Sequence, residues 1–147
     1  MDNVSRGILI NDHETEITFK VSPDEEDNVP KVAFILFASD DGQVTGDGYK
    51  EYLLMRLDGE YCPSNEYANN ELTVDRSRFA GWNQWKELNR DEFDCKVTFS
   101  LEGNTVISTA DNGGISISCC TVFKTKAAKL YVALTGDQCA ITNIRCS

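Results

Sequence analysis

The sequence predicts an all-β domain, an antiparallel, jelly-roll-like β-sandwich with one short helix near residues 79–89. Three observations lead to this prediction. Several short segments alternate apolar and polar residues with a period of two, one segment is apolar throughout, and turns rich in Gly, Asn and Asp separate the segments at close spacing. Many short strands joined by such turns are typical of sandwiches and barrels.

The first half of the chain contains three predicted strands. Residues 15–21 alternate, with Ile17, Phe19 and Val21 on one face, which predicts a half-buried strand. Residues 32–38 are all apolar, which predicts a central strand covered on both faces. Residues 50–57 predict a third strand. The predicted loops cover residues 22–30, 39–48 and 58–70.

The second half begins with the helix and ends with strands. Phe79, Trp82 and Trp85 recur at helical spacing, which predicts the helix over residues 79–89. The turn Glu102-Gly103-Asn104 predicts a hairpin between strands over residues 95–101 and 105–110. Further strands are predicted over residues 115–123 and in the last eighteen residues, where a Thr135-Gly136-Asp137 turn separates two strands that close the sandwich.

Length and charge predict one domain spanning residues 1–147. A chain of this length buries roughly 68–70% of its unfolded surface on folding, and 41% of its residues are hydrophobic. The formal net charge is −10, from 24 acidic and 14 basic residues. This charge argues against nucleic acid and against anionic membrane surfaces as partners, because both require clustered Lys and Arg. Solubility explains the acidity, and a neutral or cationic partner is compatible with it.

Cysteine usage and the N-terminus bear on the compartment. None of the six cysteines forms a C-x-x-C pair, and His13 is the one histidine, which disfavours a zinc site. Several cysteines lie in strand-like segments, so we expect reduced, buried thiols. The first residues lack the features of a signal peptide, and no segment has the ~18–20 apolar residues of a membrane span. We expect a cytoplasmic protein if the chain is full length, and an extracellular one if it is an excised module.

The segment around the two tryptophans is the best candidate binding site. Aromatic rings stack on the apolar faces of sugars, and the neighbouring amides of Asn83 and Gln84 can both donate and accept hydrogen bonds. The alternative is that Phe79, Trp82 and Trp85 form the core stripe of the helix. Further ligand-binding candidates come from the loops on either side of the predicted third strand, since loops often carry function. They are Tyr49, Tyr61, Tyr67 and Asn70.

The glycine-rich loop after the central strand supplies oxygen ligands of the kind that calcium prefers, from Asp40, Asp41 and Asp47. Their spacing is not that of an EF-hand, and a solvated turn is the alternative. We therefore predict no cofactor, with a structural calcium ion as the exception to test. No catalytic motif occurs, and the 24 acidic residues do not nominate a pair for glycoside hydrolysis.

A family likeness rests on motifs from residue 79 to the end. The pattern Trp82-x-x-Trp85, the segment over residues 94–106 with its Gly-Asn turn, the segment over residues 131–137, and Ile141-x-x-Ile144 resemble bacterial carbohydrate-binding modules. The pattern is also similar to concanavalin/galectin-type and galactose-binding-type β-sandwiches. Many such modules hold a calcium ion with an acidic residue in the last strand, whereas this chain has Thr142 and Asn143 there.

This resemblance implies a non-catalytic module that binds a polysaccharide or oligosaccharide through surface aromatics and amides. The alternative is a sensory or protein-interaction module that regulates a fused catalytic or signalling domain, because modules of this type also occur attached to bacterial signalling proteins. A small hydrolase or isomerase is a third possibility, and it requires a pocket with convergent acids of perturbed pKa.

Overall fold

Two antiparallel β-sheets pack face to face, with one short helix beside them, so the prediction of an all-β sandwich is confirmed. The computed structural model describes residues 3–10, 14–25, 30–74, 79, 81–88, 90–112, 115–125 and 129–146. Its elements are β1 (Asn3–Val4), β2 (Ile8–Ile10), β3 (Glu14–Pro23), β4 (Lys31–Ala38), β5 (Lys50–Arg56), β6 (Ala68–Val74), α1 (Trp82–Leu88), β7 (Phe93–Glu102), β8 (Thr105–Asn112), β9 (Ile115–Phe123), β10 (Leu130–Asp137) and β11 (Cys139–Cys146).

The two sheets differ in size. The small sheet has the order β1-β10-β4-β5, with β2 pairing along the same side of β10 as β1. The large sheet has the order β11-β3-β7-β8-β9-β6. The predicted hairpin between β7 and β8 is present: Glu102 pairs with Thr105, and Gly103 adopts the positive φ of 60° that favours glycine.

Alternating residues of the large sheet build one side of the core. Ile17, Phe19 and Val21 of β3 are at most 3% exposed, as their period-two spacing predicts. Phe99 of β7 meets Phe34 of β4 edge to face with ring centroids 5.3 Å apart, which joins the two sheets across the core. Such an aromatic pair contributes about 0.5–1.5 kcal/mol beyond the area that it buries.

Strand β4 is buried on both faces, as its unbroken apolar sequence predicts. Its outward-facing Ile35 and Phe37 are no more than 3% exposed. They pack with Val44 and Tyr49 from the loop over residues 39–49. This loop folds back onto the sheet, where the backbone N–H of Gly7 donates a hydrogen bond to the carbonyl of Gly42 at 3.0 Å. The loop therefore serves as the second cover of the central strand.

Two local predictions were wrong. The segment Thr135-Gly136-Asp137 is not a turn but the end of β10, where Gly136 pairs with Val32. The chain then crosses to the other sheet at Gln138, which has a φ of 62°. The predicted loop over residues 58–70 ends early, because β6 begins at Ala68 and pairs with β9. The predicted short helix near residues 79–89 is present and covers Trp82–Leu88, while Ala80 and Asn89 lie outside the described residues.

Candidate functional site

The two tryptophans of α1 occupy different environments. Trp85 is 1% exposed, and its indole N–H donates a hydrogen bond to the carbonyl of Leu57. A ring in this position has no face for a sugar, so the prediction that Trp85 stacks on a ligand needs correction: the residue belongs to the core. The helical spacing that nominated it is the spacing of a buried stripe.

Trp82 is half-buried. Its ring packs over Gly59, in the space that a Cβ atom on residue 59 would fill, and Phe79 meets it nearly edge to face at a centroid distance of 4.9 Å. Asn83 and Gln84 are exposed beside it. The structure therefore brings three of the predicted binding residues together on the surface of α1, with part of the Trp82 ring already used for packing.

The predicted tyrosines lie elsewhere and have structural partners. The hydroxyl of Tyr61 accepts a hydrogen bond from the backbone N–H of Leu72 at 3.2 Å. Tyr67 packs edge-on against Tyr52 with ring centroids 6.2 Å apart. Tyr49 belongs to the loop over β4, and burial together with its hydrogen bond to Glu51 at 2.9 Å raises its pKa. Each of the three tyrosines therefore has a structural role in the fold.

Asn70 is 7% exposed, so it is also unsuited to bind a ligand from solvent. Its side-chain amide donates to the carbonyl of Tyr52 and to that of Cys62, both at 3.1 Å. These two bonds tie β6 to β5 and to the loop between the two strands. Because Asn70 is buried, as Trp85 is, the prediction that Asn70 contacts a sugar is corrected.

One of the predicted calcium ligands, Asp41, bonds within its own loop through its carboxylate, and Asp40 and Asp47 are joined there through their backbones. The carboxylate of Asp41 accepts a hydrogen bond from the backbone N–H of Gln43 at 3.0 Å and lies against Gly46. The backbone N–H of Asp40 donates to the carbonyl of Asp47 at 2.8 Å. Within the described ranges, no three or more His, Cys, Asp or Glu side chains are grouped so as to hold a metal ion. His13 lies outside these ranges.

All six cysteines are free thiols in this structure. Burial raises the pKa of Cys95 to about 12 and that of Cys119 to about 11, so both stay protonated at neutral pH. Cys62 and Cys146 are exposed. The buried thiols act as small apolar groups, in accordance with their position in strands.

A polar depression on the outer face of the large sheet was not predicted from the sequence. It has a volume of about 480 Å³, within the roughly 300–1,000 Å³ range of small-molecule sites. Its walls come from β3, β7, β8 and β11, which are far apart in the sequence. The lining residues are Thr18, Phe19, Lys20, Asp94, Cys95, Lys96, Asp111, Asn143 and Arg145.

Sheet register explains how these side chains meet. Lys96 stands between Thr18 and Asp111 on neighbouring strands, and Lys20 stands opposite Asp94. Residues that are directly opposite on one face have Cβ atoms about 4.5–5.5 Å apart. Alternate residues such as Phe19 and Cys95 point into the core and are 3% exposed. The accessible lining of the depression is therefore polar.

The charges around the depression balance. Three cations, Lys20, Lys96 and Arg145, stand among three carboxylates, Glu92, Asp94 and Asp111. Lys20 and Glu92 form an ion pair at 2.9 Å, which raises the pKa of Lys20 and lowers that of Glu92. In a chain with a formal net charge of −10, this surface presents donors and acceptors without a local excess of either charge.

Other concave regions lie elsewhere on the described surface. A second depression of about 330 Å³ on the same face is lined by Ser100, Glu102, Thr105 and Ile107. A more enclosed pocket of about 190 Å³ lies beside α1, with Leu57 and Phe93 in its walls. Its volume is below the usual range for ligand sites, and the Arg56 guanidinium at its rim is already paired with Asp58 at 2.8 Å.

In the described part of the chain, no helix has the length and the apolar character that crossing a membrane requires. Comparisons with protein-family models, with curated proteins and with solved structures found no match to this chain.

Proposed function

We propose that this protein is a non-catalytic carbohydrate-binding domain and that the glycan lies in the polar depression on the outer face of the large sheet. The observation that carries the proposal is the depression itself, an open volume of about 480 Å³ whose lining carries charges of both signs. A neutral ligand that offers many hydroxyl groups suits such a surface better than an anion, a cation or an apolar molecule.

The chemistry of the lining fits sugar hydroxyls, each of which donates one hydrogen bond and accepts others. The carboxylates of Asp94 and Asp111 accept, Lys96 donates, and the amide of Asn143 can do both. Each bond exchanged with water contributes only about 0.5–1.5 kcal/mol net. Four such bonds, with little apolar burial, support a dissociation constant on the order of millimolar.

The surface of α1 is the second place where a glycan could bind, as the sequence predicted. Trp82 would supply a stacking ring, and Asn83 and Gln84 would supply hydrogen bonds. The contact of the Trp82 ring with Gly59 leaves less of it for a ligand. Variants in the two surfaces distinguish these sites.

A protein-interaction module is the alternative function, and one observation favours it. Ile107 and Val122, on neighbouring strands of the large sheet, are 45% and 40% exposed. Two isolated side chains form a smaller apolar patch than a typical interface core. A fused signalling or catalytic domain remains part of this alternative.

The test is affinity electrophoresis of the purified protein in gels that contain a panel of neutral soluble polysaccharides. Lys96→Ala and Lys129→Ala form a matched pair: both remove one exposed lysine, but only Lys96 lines the depression. We expect one class of glycan to retard the wild type and Lys129→Ala, and we expect Lys96→Ala to migrate as in a gel without ligand.

Two outcomes contradict the proposal in different ways. Loss of retardation in Trp82→Ala, with Lys96→Ala unaffected, moves the site to α1 but keeps the function. Absence of retardation of the wild type by every neutral glycan contradicts carbohydrate binding and favours the interaction module.

A further inference from the structure

The two edges of the large sheet differ in how they are protected. At the β6 edge the preceding loop covers the backbone: Asn70 N–H donates to the carbonyl of Pro63 at 2.7 Å, and Leu72 N–H donates to the Tyr61 hydroxyl. At the other edge, β11 pairs with β3, and no strand in the described ranges pairs with its outer side. Uncovered edges of this kind are where chains associate.

The inward-facing residues of β11 are only half covered. A bulge lies between Thr142 and Arg145, with Asn143 at a φ of 55°. The extra residue keeps the apolar side chains that follow it on the core side of the strand. Ile144 is nevertheless 41% exposed, whereas Cys139 at the start of the strand is 1% exposed. The large sheet therefore extends beyond the small sheet at this edge.

An apolar groove results between the edges of the two sheets. Its volume is about 350 Å³, and Leu134 of β10 faces Cys139, Ile141 and Ile144 of β11 across it. Gly136 in its floor lies so close to Cys139 that a Cβ atom there would be 2.9 Å from the sulfur. Apolar side chains at this edge of the core are thus left partly exposed, and a further apolar surface packed on the groove would bury them.

We propose that a second copy of this chain covers the groove, with the two β11 strands antiparallel about a two-fold axis between Thr142 and Asn143. The inward-facing residues of β11 are, in order, Cys139, Ile141, Ile144 and Cys146. The order of residue types, Cys-Ile-Ile-Cys, is therefore the same from either end of the strand. Ile144 of each copy then packs against Ile141 of the other, as a two-fold interface requires. Because the bulge bends the strand, the contact depends on these side chains more than on a continuous backbone ladder.

Charge at the edge is complementary in the same arrangement. Arg145 is the one charged residue of β11, and the axis brings it beside the Gln138–Cys139 end of the other copy. Asp24 lies at that end, where its backbone N–H donates to the carbonyl of Gln138 at 3.1 Å. Burial raises the pKa of the Cys139 thiol, and the nearby carboxylates of Asp24 and Asp137 raise it further. Each Arg145 therefore meets negative charge on its partner.

The experiment is sedimentation equilibrium of the wild type, Ile144→Lys and Ile107→Lys over a range of protein concentrations. The two isoleucines are matched, at 41% and 45% exposure, but Ile107 lies on the outer face of the sheet. We expect the wild type and Ile107→Lys to approach twice the chain mass of 16.4 kDa. We expect Ile144→Lys to dissociate at least about a hundredfold more readily, because two buried isoleucines are lost in each dimer.

A charge exchange tests the orientation of the two copies. Arg145→Glu is expected to weaken association about tenfold or more, and the double variant Arg145→Glu with Asp24→Arg is expected to recover most of it. Circular dichroism of each variant checks that the fold is kept. A wild type that sediments at 16.4 kDa at every concentration overturns the proposal. So does a dimer that Ile107→Lys disrupts and Ile144→Lys leaves intact.

Discussion

Replacing Trp85 with alanine removes the largest of the fully buried side chains and the hydrogen bond that joins α1 to Leu57. Trp→Ala substitutions in cores cost about 3–5 kcal/mol, and the lost hydrogen bond costs about 1 kcal/mol more. Domains have a total free energy of unfolding of about 5–15 kcal/mol. The variant is therefore expected to lose a large part of the wild-type free energy of unfolding.

The assay is urea unfolding followed by far-ultraviolet circular dichroism, with Trp82→Ala as the matched control. For an m-value of about 2 kcal/mol per molar urea, Trp85→Ala lowers the midpoint by about 2 M. Trp82 is only half-buried, so its replacement is expected to cost less, about 1–2 kcal/mol. Fluorescence separates the two rings as well: with Trp82 replaced by Phe, the remaining emission should be blue-shifted and resistant to iodide.

Unfolding of Trp85→Ala at the same urea concentration as the wild type would contradict the position of Trp85 in the core. Retained stability together with lost glycan retardation would place Trp85 in the binding site, as the sequence pattern alone suggested. A midpoint shift larger in Trp82→Ala than in Trp85→Ala would also contradict the assignment of the two rings.

Two further predictions concern Gly59 and Cys95. Gly59→Ala places a methyl group against the ring of Trp82 at a φ of 96°, so we expect the free energy of unfolding to fall by about 2–3 kcal/mol and the near-ultraviolet spectrum to change. The control is Gly103→Ala, at a φ of 60° with open space around its Cβ position, which should lower the free energy of unfolding by only about 1 kcal/mol. Equal losses in the two variants would contradict the contact between Gly59 and Trp82. Burial raises the pKa of Cys95 from 9.0 to about 12, so the stability that it contributes is complete below pH 9 and is lost as the pH rises towards 12. Between pH 8.5 and 10.5 the wild type should lose about 2 kcal/mol more than Cys95→Ala in denaturant titrations, and parallel losses would show that the thiol is not buried.

Local sequence pattern predicted the elements whose environment is simple. Strand β3 alternates because one face is core and the other is solvent, and β4 is apolar throughout because the loop over residues 39–49 covers its outer face. Strand β6 was not predicted, because its polar Asn70 faces inward and interrupts the alternation of apolar and polar residues. The cost of burying the amino group of that side chain is offset by the carbonyls of Tyr52 and Cys62, which are tertiary partners that no local pattern reveals.

The segment Thr135-Gly136-Asp137 was wrongly predicted as a turn, again because tertiary contacts decide its structure. Its residues favour turns, but Gly136 is buried next to Cys139 and pairs with Val32. Close packing, rather than turn formation, accounts for the glycine there.

The candidate site was predictable only in part. Asn83 and Gln84 are exposed on α1, as expected, but Trp85 faces the core. The sequence does not distinguish these two positions for Trp85, because the buried stripe of an amphipathic helix and an exposed aromatic platform have the same residue spacing. The polar depression combines side chains near residues 18–20, 94–96, 111 and 143–145. Its existence depends on the order β11-β3-β7-β8, and strand order is a non-local property that periodicity does not encode.

The most direct test of the proposed function is affinity electrophoresis of the wild type, Lys96→Ala and Lys129→Ala against neutral polysaccharides. We expect retardation of the wild type and of Lys129→Ala by one class of glycan, with Lys96→Ala unretarded and still folded. Equal retardation of all three proteins would contradict binding in the depression, and free migration of all three would contradict carbohydrate binding altogether.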